Sequence, residues 1–336
     1  MPVTMTEVAA RAGVSIKTVS NVINNRPYIT TETRERVLAA IADLHYKPNR
    51  TAQALRSRRV QALAAIIPDI QNPFFTQVVH GIEDTAFAAG YMLFLCDTED
   101  REAREMRYIE GLNSGTIAGA VLCAADPRSF RERVEALQRG HVAVVAIDRA
   151  SPDVPVDAVL SENEEGSYAA VQHLLALGHR RIGMIAGPEY FPFGQERLDC
   201  YLRAHAECGV AVAPELISRA DFRRASAETA ANRLLDLPAP PTALFVYCGP
   251  MAVGAVKAIR IRGLKMPTDL ALIVFDDVDW SEAGDPPLSV VAQPAYEMGC
   301  RAADLLIRRL DQPQAPAELV RLATKFVHRG SCCHMN

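Results

Sequence analysis

The sequence predicts a small all-α helix-turn-helix unit followed by an α/β body of two doubly wound parallel-sheet lobes. Three observations carry that expectation. Within the first sixty of 336 residues, apolar positions recur at helical spacing in three short segments set off by capping residues and glycine. Beyond Val60, short β-branched runs alternate with helical segments of about twelve to seventeen residues, the pattern of parallel sheets with helices on both faces. The net charge of −4 divides unevenly: residues 1–60 hold ten Lys and Arg against four Asp and Glu, and the remainder carries the acidic excess. A basic start on an acidic body directs the small unit, and not the large one, toward a polyanion.

Thr4-Met5-Thr6-Glu7 is a capping box, in which the hydroxyl of Thr4 and the carboxylate of Glu7 satisfy free amides of the first turn. The helix that follows buries Val8, Ala9 and Ala12, and Gly13 ends it. Ser15 is a second N-cap, and Val19, Val22 and Ile23 face inward from the next helix at i, i+3, i+4 spacing. Ile16, Lys17, Ser20 and Asn21 then point outward. A third helix starts at the Thr30 cap and is expected to bury Val37, Leu38, Ile41 and Leu44. Three short helices, the first two joined through a glycine, form a helix-turn-helix unit. Its outward face carries groups that read bases: Lys17 donates to guanine O6 and N7, Asn21 pairs bidentately with adenine, and Ile16 touches a thymine methyl.

The runs TMTEVAARAGVSIKTVSNVINN, TTETRERVLAAIADLHYKPN and ALRS resemble the lactose-repressor (LacI/GalR) family of bacterial transcription regulators, and the resemblance extends over nearly the whole chain. It implies a second helix seated in the major groove, with Ile16, Lys17 and Asn21 setting specificity. Thr4, Ser15, Thr18, Ser20, Asn24, Tyr46 and Asn49 complete the implied DNA contacts. Family members often carry Arg where Asn21 stands, so a different operator is expected. Pro48 breaks the third helix, and Asn49 caps a short hinge helix running through Leu55 and Arg56. In the family, the residue matching Leu55 wedges into the minor groove; an apolar wedge unstacks a base step while flanking cations neutralise phosphates.

The expected domains are 1–46 for DNA binding, 47–59 for the hinge, 60–330 for the body and 331–336 as a tail. Strands are read at 62–67, 91–96, 118–123, 142–147, 181–186, 242–247 and 270–275. Helices are read near 74–89, 101–113, 129–139, 164–177, 195–208, 225–236, 251–262 and 294–310. Two sets of βα units meeting near 157–162 divide the body into lobe 1 (60–160 and 291–317) and lobe 2 (161–290 and 318–330), with the late segments 288–293 and 318–328 crossing back between them. The resemblance implies a periplasmic-binding-protein-like fold for this part.

No dinucleotide fingerprint, phosphate-cradling loop, nucleophile elbow or zincin motif is present, so no enzyme activity and no cofactor are expected. Apolar runs are too short to span a membrane, and the start lacks a signal peptide; a cytoplasmic, nucleoid-associated protein is expected. Eight scattered cysteines suit a reducing compartment, and Cys332-Cys333-His334 reads as a terminus and not as a metal site.

A small effector between two lobes draws its contacts from loops at strand ends. The residues matching family effector positions are Phe74 and Phe222, for stacking on a ring; Arg197 and Asp276, for hydroxyl or carboxylate recognition; and Asp148 and Gln293, for further bonds. The family's usual Asn-Asp pair before Met-Ala is here Cys248-Gly249, followed by Pro250. Glu162-Asn163 stands where Asp-Asn is usual, and Val274 where Gly commonly precedes Phe-Asp-Asp. An apolar wall facing the cation of Arg197 suits a smaller or more anionic effector. The expected partners are therefore a pseudopalindromic double-stranded operator, a small-molecule effector such as a sugar or sugar acid, and a second copy of the chain. A regulator with a degenerate cleft is the alternative; a solute-binding protein of transport should lack the helix-turn-helix and carry an export signal.

Overall fold

A computed structural model describes residues 3–23, 29–44, 46, 62–151 and 153–332, and divides the chain into two compact units, Met1–Val60 and Gln61–Asn336. Asn24, Asn49, Leu55, Arg56 and the expected hinge and tail end lie outside the described residues.

In the small unit, α1 (Met5–Ala12), α2 (Ile16–Ile23) and α3 (Thr31–Asp43) close on Val8, Ala9, Ala12, Val19, Val22, Val37, Ala40 and Tyr46. The capping box forms as its residues dictate: Thr4 N donates to Glu7 Oε2 at 2.6 Å, and Glu7 N donates to Thr4 Oγ1 at 3.4 Å. Gly13 ends α1 with a φ of 64°, in the left-handed region that glycine enters without a Cβ penalty. Arg36 of α3 completes that end, its Nη2 donating to Ala12 O at 2.8 Å where helix carbonyls lack partners. One expected core residue is not in the core. Leu38 is 51% exposed, because the buried stripe of α3 runs through Val37, Ala40, Ile41 and Leu44, and Leu38 falls a helical step outside it.

The body consists of two six-stranded sheets. The first contains β1 (Ala62–Ile67), β2 (Met92–Asp97), β3 (Gly119–Leu122), β4 (Ala143–Ile147), β5 (Asp157–Glu162) and β11 (Leu319–Ala323), in the order β11-β5-β4-β3-β1-β2. The second contains β6 (Ile182–Ala186), β7 (Ile217–Arg219), β8 (Ala243–Val246), β9 (Ala271–Phe275), β10 (Ser289–Ala292) and β12 (Lys325–Val327), in the order β12-β10-β9-β8-β6-β7. All pairings are parallel except β12 on β10. Central strands such as β1, with every residue buried, are the continuous apolar runs that a sheet covered on both faces requires.

The covering helices in the first lobe are α4 (Pro73–Ala88), α5 (Glu102–Leu112), α6 (Phe130–Arg139) and α12 (Ala295–Asp311). The second lobe has α7 (Asn163–Ala176), α8 (Pro192–Glu207), α9 (Arg224–Leu235), α10 (Gly249–Ile261) and the short α11 (Asp279–Glu282). Two helix pairs approach unusually closely, and glycine permits it. A Cβ on Gly299 of α12 would stand 2.0 Å from Val78 O of α4, and one on Gly254 of α10 would stand 2.1 Å from Arg224 O at the start of α9.

The lobe boundary differs from the expected one. The segment 318–330, assigned to lobe 2 but expected to cross between the lobes, does cross: β11 adds beside β5 in the first sheet, and the chain passes over at Thr324 before β12 joins the second. Asp157 draws β11 in, accepting bonds from Glu318 N at 2.8 Å and from Arg309 Nε and Nη2 at 2.8 Å each. Three segments therefore pass between the lobes: 162–163, 293–294 and 324. They are tied to one another, Thr324 Oγ1 donating to Glu162 O at 2.7 Å and Ser161 Oγ to Gln293 Oε1 at 2.5 Å. Among the described residues, no helix is long and apolar enough to cross a membrane.

Candidate functional site: a DNA-reading helix and a ligand cavity

On the small unit, Ile16 is 39% exposed and Lys17 is exposed, while Ser20 and Asn21 are half-buried beside them on α2. Lys17 has no charged partner among the described residues, so its ammonium is available to an external anion or acceptor. Three other predicted residues work locally. Thr4 caps α1, and Ser15 caps α2, its Oγ accepting from Thr18 N at 3.1 Å and lying 2.9 Å from Thr18 Oγ1. Tyr46 is only 9% exposed and packs in the three-helix core.

In the body, all six predicted effector residues line one cavity of about 240 Å³: Phe74, Asp148, Arg197, Phe222, Asp276 and Gln293. Asp148, Asp276 and Gln293 reach it just after strands, and Phe74 from the first turn of α4. Phe222 enters from the loop between β7 and α9, and Arg197 from the second turn of α8, all around the crevice that an open α/β sheet leaves. Asn72 fixes the first entry. Its Oδ1 accepts from Phe74 N at 3.1 Å, Pro73 opens α4, and the ring of Phe74 lies edge-on to Phe75 at 5.0 Å.

Arg197 is 3% exposed and thoroughly engaged. Nε and Nη2 donate to Asn163 Oδ1 at 3.0 and 2.9 Å, Nη1 donates to Tyr247 O at 2.8 Å, and the guanidinium lies 3.4 Å from the centroid of Phe275. Asn163 is held in turn, its Nδ2 donating to Glu196 Oε2 at 2.7 Å. Asp276, 4% exposed, accepts from Gly249 N at 3.0 Å and from Gln293 Nε2 at 2.5 Å. Gln293 thus links the acid to Ser161 across the lobes.

The backbone is strained around this cavity. Six non-glycine described residues have positive φ, and five of them line it: Glu99 (52°), Asp100 (53°), Asp148 (60°), Phe222 (67°) and Asp276 (84°). For a residue as bulky as Phe222 this region costs of order 1–3 kcal/mol, and such outliers cluster where a site is shaped. At Asp148 the turn has a direct effect. Strand alternation would send Arg149 to the opposite face, but after the left-handed Asp148 both line the cavity.

Arg149 is the main residue that sequence reasoning missed. Its Nη1 donates to Asp100 Oδ1 at 2.6 Å and to Ala124 O at 3.2 Å, its guanidinium lies 4.8 and 5.4 Å from the ring centroids of Phe191 and Phe222, and its buried Nε has no hydrogen-bond partner among the described residues. Burial pushes the Asp148 carboxyl above the usual carboxylate range, against the pull of Arg149 and Arg197. Tyr247, 1% exposed and at the strand-end corner beside Cys248, forms the floor, its ring 5.5 Å from Phe222 and 4.6 Å from the Arg197 guanidinium. Their adjacency to Asp148 and Cys248 was the available signal.

The lining is not the cationic wall the sequence suggested. Asp69, Glu99, Asp100, Asp148 and Asp276 offset Arg101, Arg149, Arg197 and Arg223. Cys248 and Pro250 line the cavity, and Gly249 between them meets Asp276 through its amide. A Cβ on Gly249 would lie 3.6 Å from Asp276 Oδ2, so an Asp there would bring a further carboxylate against the first.

Comparison with known proteins agrees with this division. Residues 4–49 match the family described as bacterial regulatory proteins, lacI family, and residues 171–332 match the periplasmic binding protein-like domain. The HTH-type transcriptional repressor CytR of Escherichia coli (strain K12) is 34% identical over 328 residues, covering 98% of this chain and 96% of that one. The lac repressor dimer bound to operator and the anti-inducer ONPF is similar in structure, with a TM-score of 0.86, 28% identity, and coverage of 99% of this chain and 100% of that one. The transcriptional regulator CelR in its cellobiose complex has a TM-score of 0.74 at 30% identity, covering 98% and 99% of the two chains.

Proposed function

This chain belongs to the lacI family of bacterial regulatory proteins, and from that premise we propose a homodimeric repressor that reads a pseudopalindromic operator and is switched by a neutral, hydroxyl-rich effector bound in the body cavity. It is a DNA-binding repressor with an effector-binding domain; the operator symmetry, the dimer and the effector class are the finer reading. The observation that carries the DNA part is the outward face of α2, where Ile16 and the exposed Lys17, without a charged partner among the described residues, stand beside Asn21. A helix offering a cation, an amide and a methyl-bearing side chain matches the donor and acceptor pattern of the major groove. Ser15 and Thr18, at the start of the same helix, lie where phosphate oxygens meet helix amides.

The effector class follows from the balance of the cavity. A carboxylate such as Asp276 accepts from hydroxyls, an arginine donates to them, and the aromatic faces of Phe74 and Phe222 suit the apolar face of a ring. With acids and guanidinium groups nearly matched in number, a ligand of high charge gains little. CelR, bound to the sugar cellobiose, supports a hydroxyl-rich ligand. By linkage, an effector that releases DNA binds the DNA-free arrangement of the lobes more tightly, typically with about 1–3 kcal/mol of coupling.

Lys17→Ala is expected to weaken binding to the cognate operator by about 1–3 kcal/mol with little effect on random DNA. Fluorescence anisotropy on both duplexes at one salt concentration checks this, and equal losses would reduce Lys17 to a phosphate contact. A thermal-shift screen of sugars, sugar acids and nucleosides tests the effector class; stabilisation by sugar acids alone would reverse it.

For the dimer, the support is an apolar edge. β2 is the outer strand of the first sheet and exposes Met92 (53%), Phe94 (50%) and Leu95 (40%), with Phe87 (75%) at the end of α4. An edge strand with such a surface invites pairing or burial. Phe94→Glu should yield a monomer in sedimentation velocity and lose operator affinity together with the dimer; a charged variant that remains dimeric would move the interface elsewhere.

A further inference from the structure

The second lobe carries a cluster that none of the DNA or effector chemistry uses. His173 of α7, His328 just after β12, and Cys332 bring ligand atoms within 4.8 Å of one another. The two imidazole rings lie 4.8 Å apart between centroids, and Phe326 packs 5.1 Å from His173. Cys332 is 4% exposed with its Sγ 3.1 Å from Ser289 Oγ, whereas His328 is exposed. A thiol fixed in the core, a half-buried imidazole and a surface imidazole thus converge on one point from three places in the chain.

We propose that His173, His328 and Cys332 form a binding site for a borderline-soft divalent transition-metal ion, zinc first among them. The donor set decides the class: two imidazoles and one sulfur suit zinc, and a cluster with no carboxylate offers nothing to magnesium or calcium. The geometry is compatible. Bond lengths of about 2.0–2.1 Å to nitrogen and about 2.3 Å to sulfur place tetrahedral ligands roughly 3.5 Å apart. The present separations, all within 4.8 Å, exceed that by about 1 Å at most, and the exposed His328 is the ligand freest to move inward. Three protein ligands leave a fourth position on the solvent side for water or an external donor.

The site ties α7 to the carboxyl-terminal segment of the lobe. Cys332 already packs in the core beside Ala271 and Ile273, and β12 already pairs with β10. The lobe therefore folds without metal, and bound metal adds to its stability by mass action.

The test uses the full chain, reduced and treated with a chelator, then titrated with cobalt(II) or zinc(II) alone. One cobalt per chain is expected, with tetrahedral d–d bands and a thiolate-to-cobalt charge-transfer band that zinc abolishes by displacement. Zinc should also raise the Tm. Cys332→Ser should remove the charge-transfer band, and His328→Ala, at an exposed position that the fold tolerates, should weaken cobalt binding at least about 100-fold. Cys333→Ser should retain the band, and circular dichroism confirms that each variant is folded. The absence of stoichiometric uptake overturns the proposal, as does a charge-transfer band that survives Cys332→Ser.

Discussion

Arg197→Ala is expected to cost the second lobe about 3 kcal/mol and to abolish the response of operator binding to effector. The stability loss follows from what the guanidinium holds. Removing it leaves Asn163 Oδ1 and Tyr247 O as buried acceptors without their donors and strips the cation from the face of Phe275. Hydrogen bonds to a charged group contribute about 1.5–3 kcal/mol, and abandoned buried acceptors add a desolvation penalty. The loss of response follows from its place in the cavity wall. Arg197→Lys should fall between, because an ammonium keeps the charge but lacks the planar fork that serves Asn163 and Tyr247 together. Urea unfolding and effector-dependent anisotropy on the operator measure the two effects separately. A full effector response in Arg197→Ala would place the ligand elsewhere.

Gly299→Ala should be comparably damaging with no cavity residue touched. The added Cβ would meet Val78 O at 2.0 Å, Val78 C at 2.9 Å and Ile82 N at 3.0 Å, all backbone atoms of α4. Gly81 makes the reciprocal approach, where a Cβ would stand 2.1 Å from Tyr296 O. No rotamer relieves a clash with backbone, so α4 and α12 must separate and loosen the apolar layer that Phe75, Val78, Ile82, Met298 and Ala302 share. A loss of about 3 kcal/mol or more is expected, at the upper end of overpacking penalties. It should appear as a lower urea midpoint with unchanged slope. A neutral result would mean that the two helices are not this close in solution.

The sequence was most informative where one residue type serves one purpose. Capping residues, glycine stops and apolar periodicity located the three small helices, and alternating β and α segments located both lobes, because these signals are local. The strand 157–162 reads from sequence as a meeting point of the lobes and not as a strand, since Asp157, Ser161 and Glu162 break the apolar run. Those polar residues make the crossings: Asp157 recruits β11, and Ser161 binds Gln293. The split of 318–330 is decided by pairing with distant strands, which no local pattern encodes. Likewise, Leu38 shows how a one-residue error in helical phase moves an apolar residue from core to surface. The six cavity residues were legible through family resemblance, whereas Arg149 is visible in the sequence only as the neighbour of Asp148, and it is the positive φ of Asp148 that turns it inward. In Gly81, Gly254 and Gly299 the sequence displays only weakened helix propensity; the reason lies on another helix.

The tied crossings between the lobes give the body the mechanics of a door on a single pin. With 162–163, 293–294 and 324 bonded together, splaying or sliding one lobe past the other at the crossings would break these bonds. Gln293 is part of that pin, and its amide bonds Asp276 in the cavity wall. In the proposed reading, an effector hydroxyl that competes for the Asp276 carboxylate acts at the fulcrum. There, a displacement smaller than an ångström is multiplied along the full length of each lobe before it reaches the lobe's far edges.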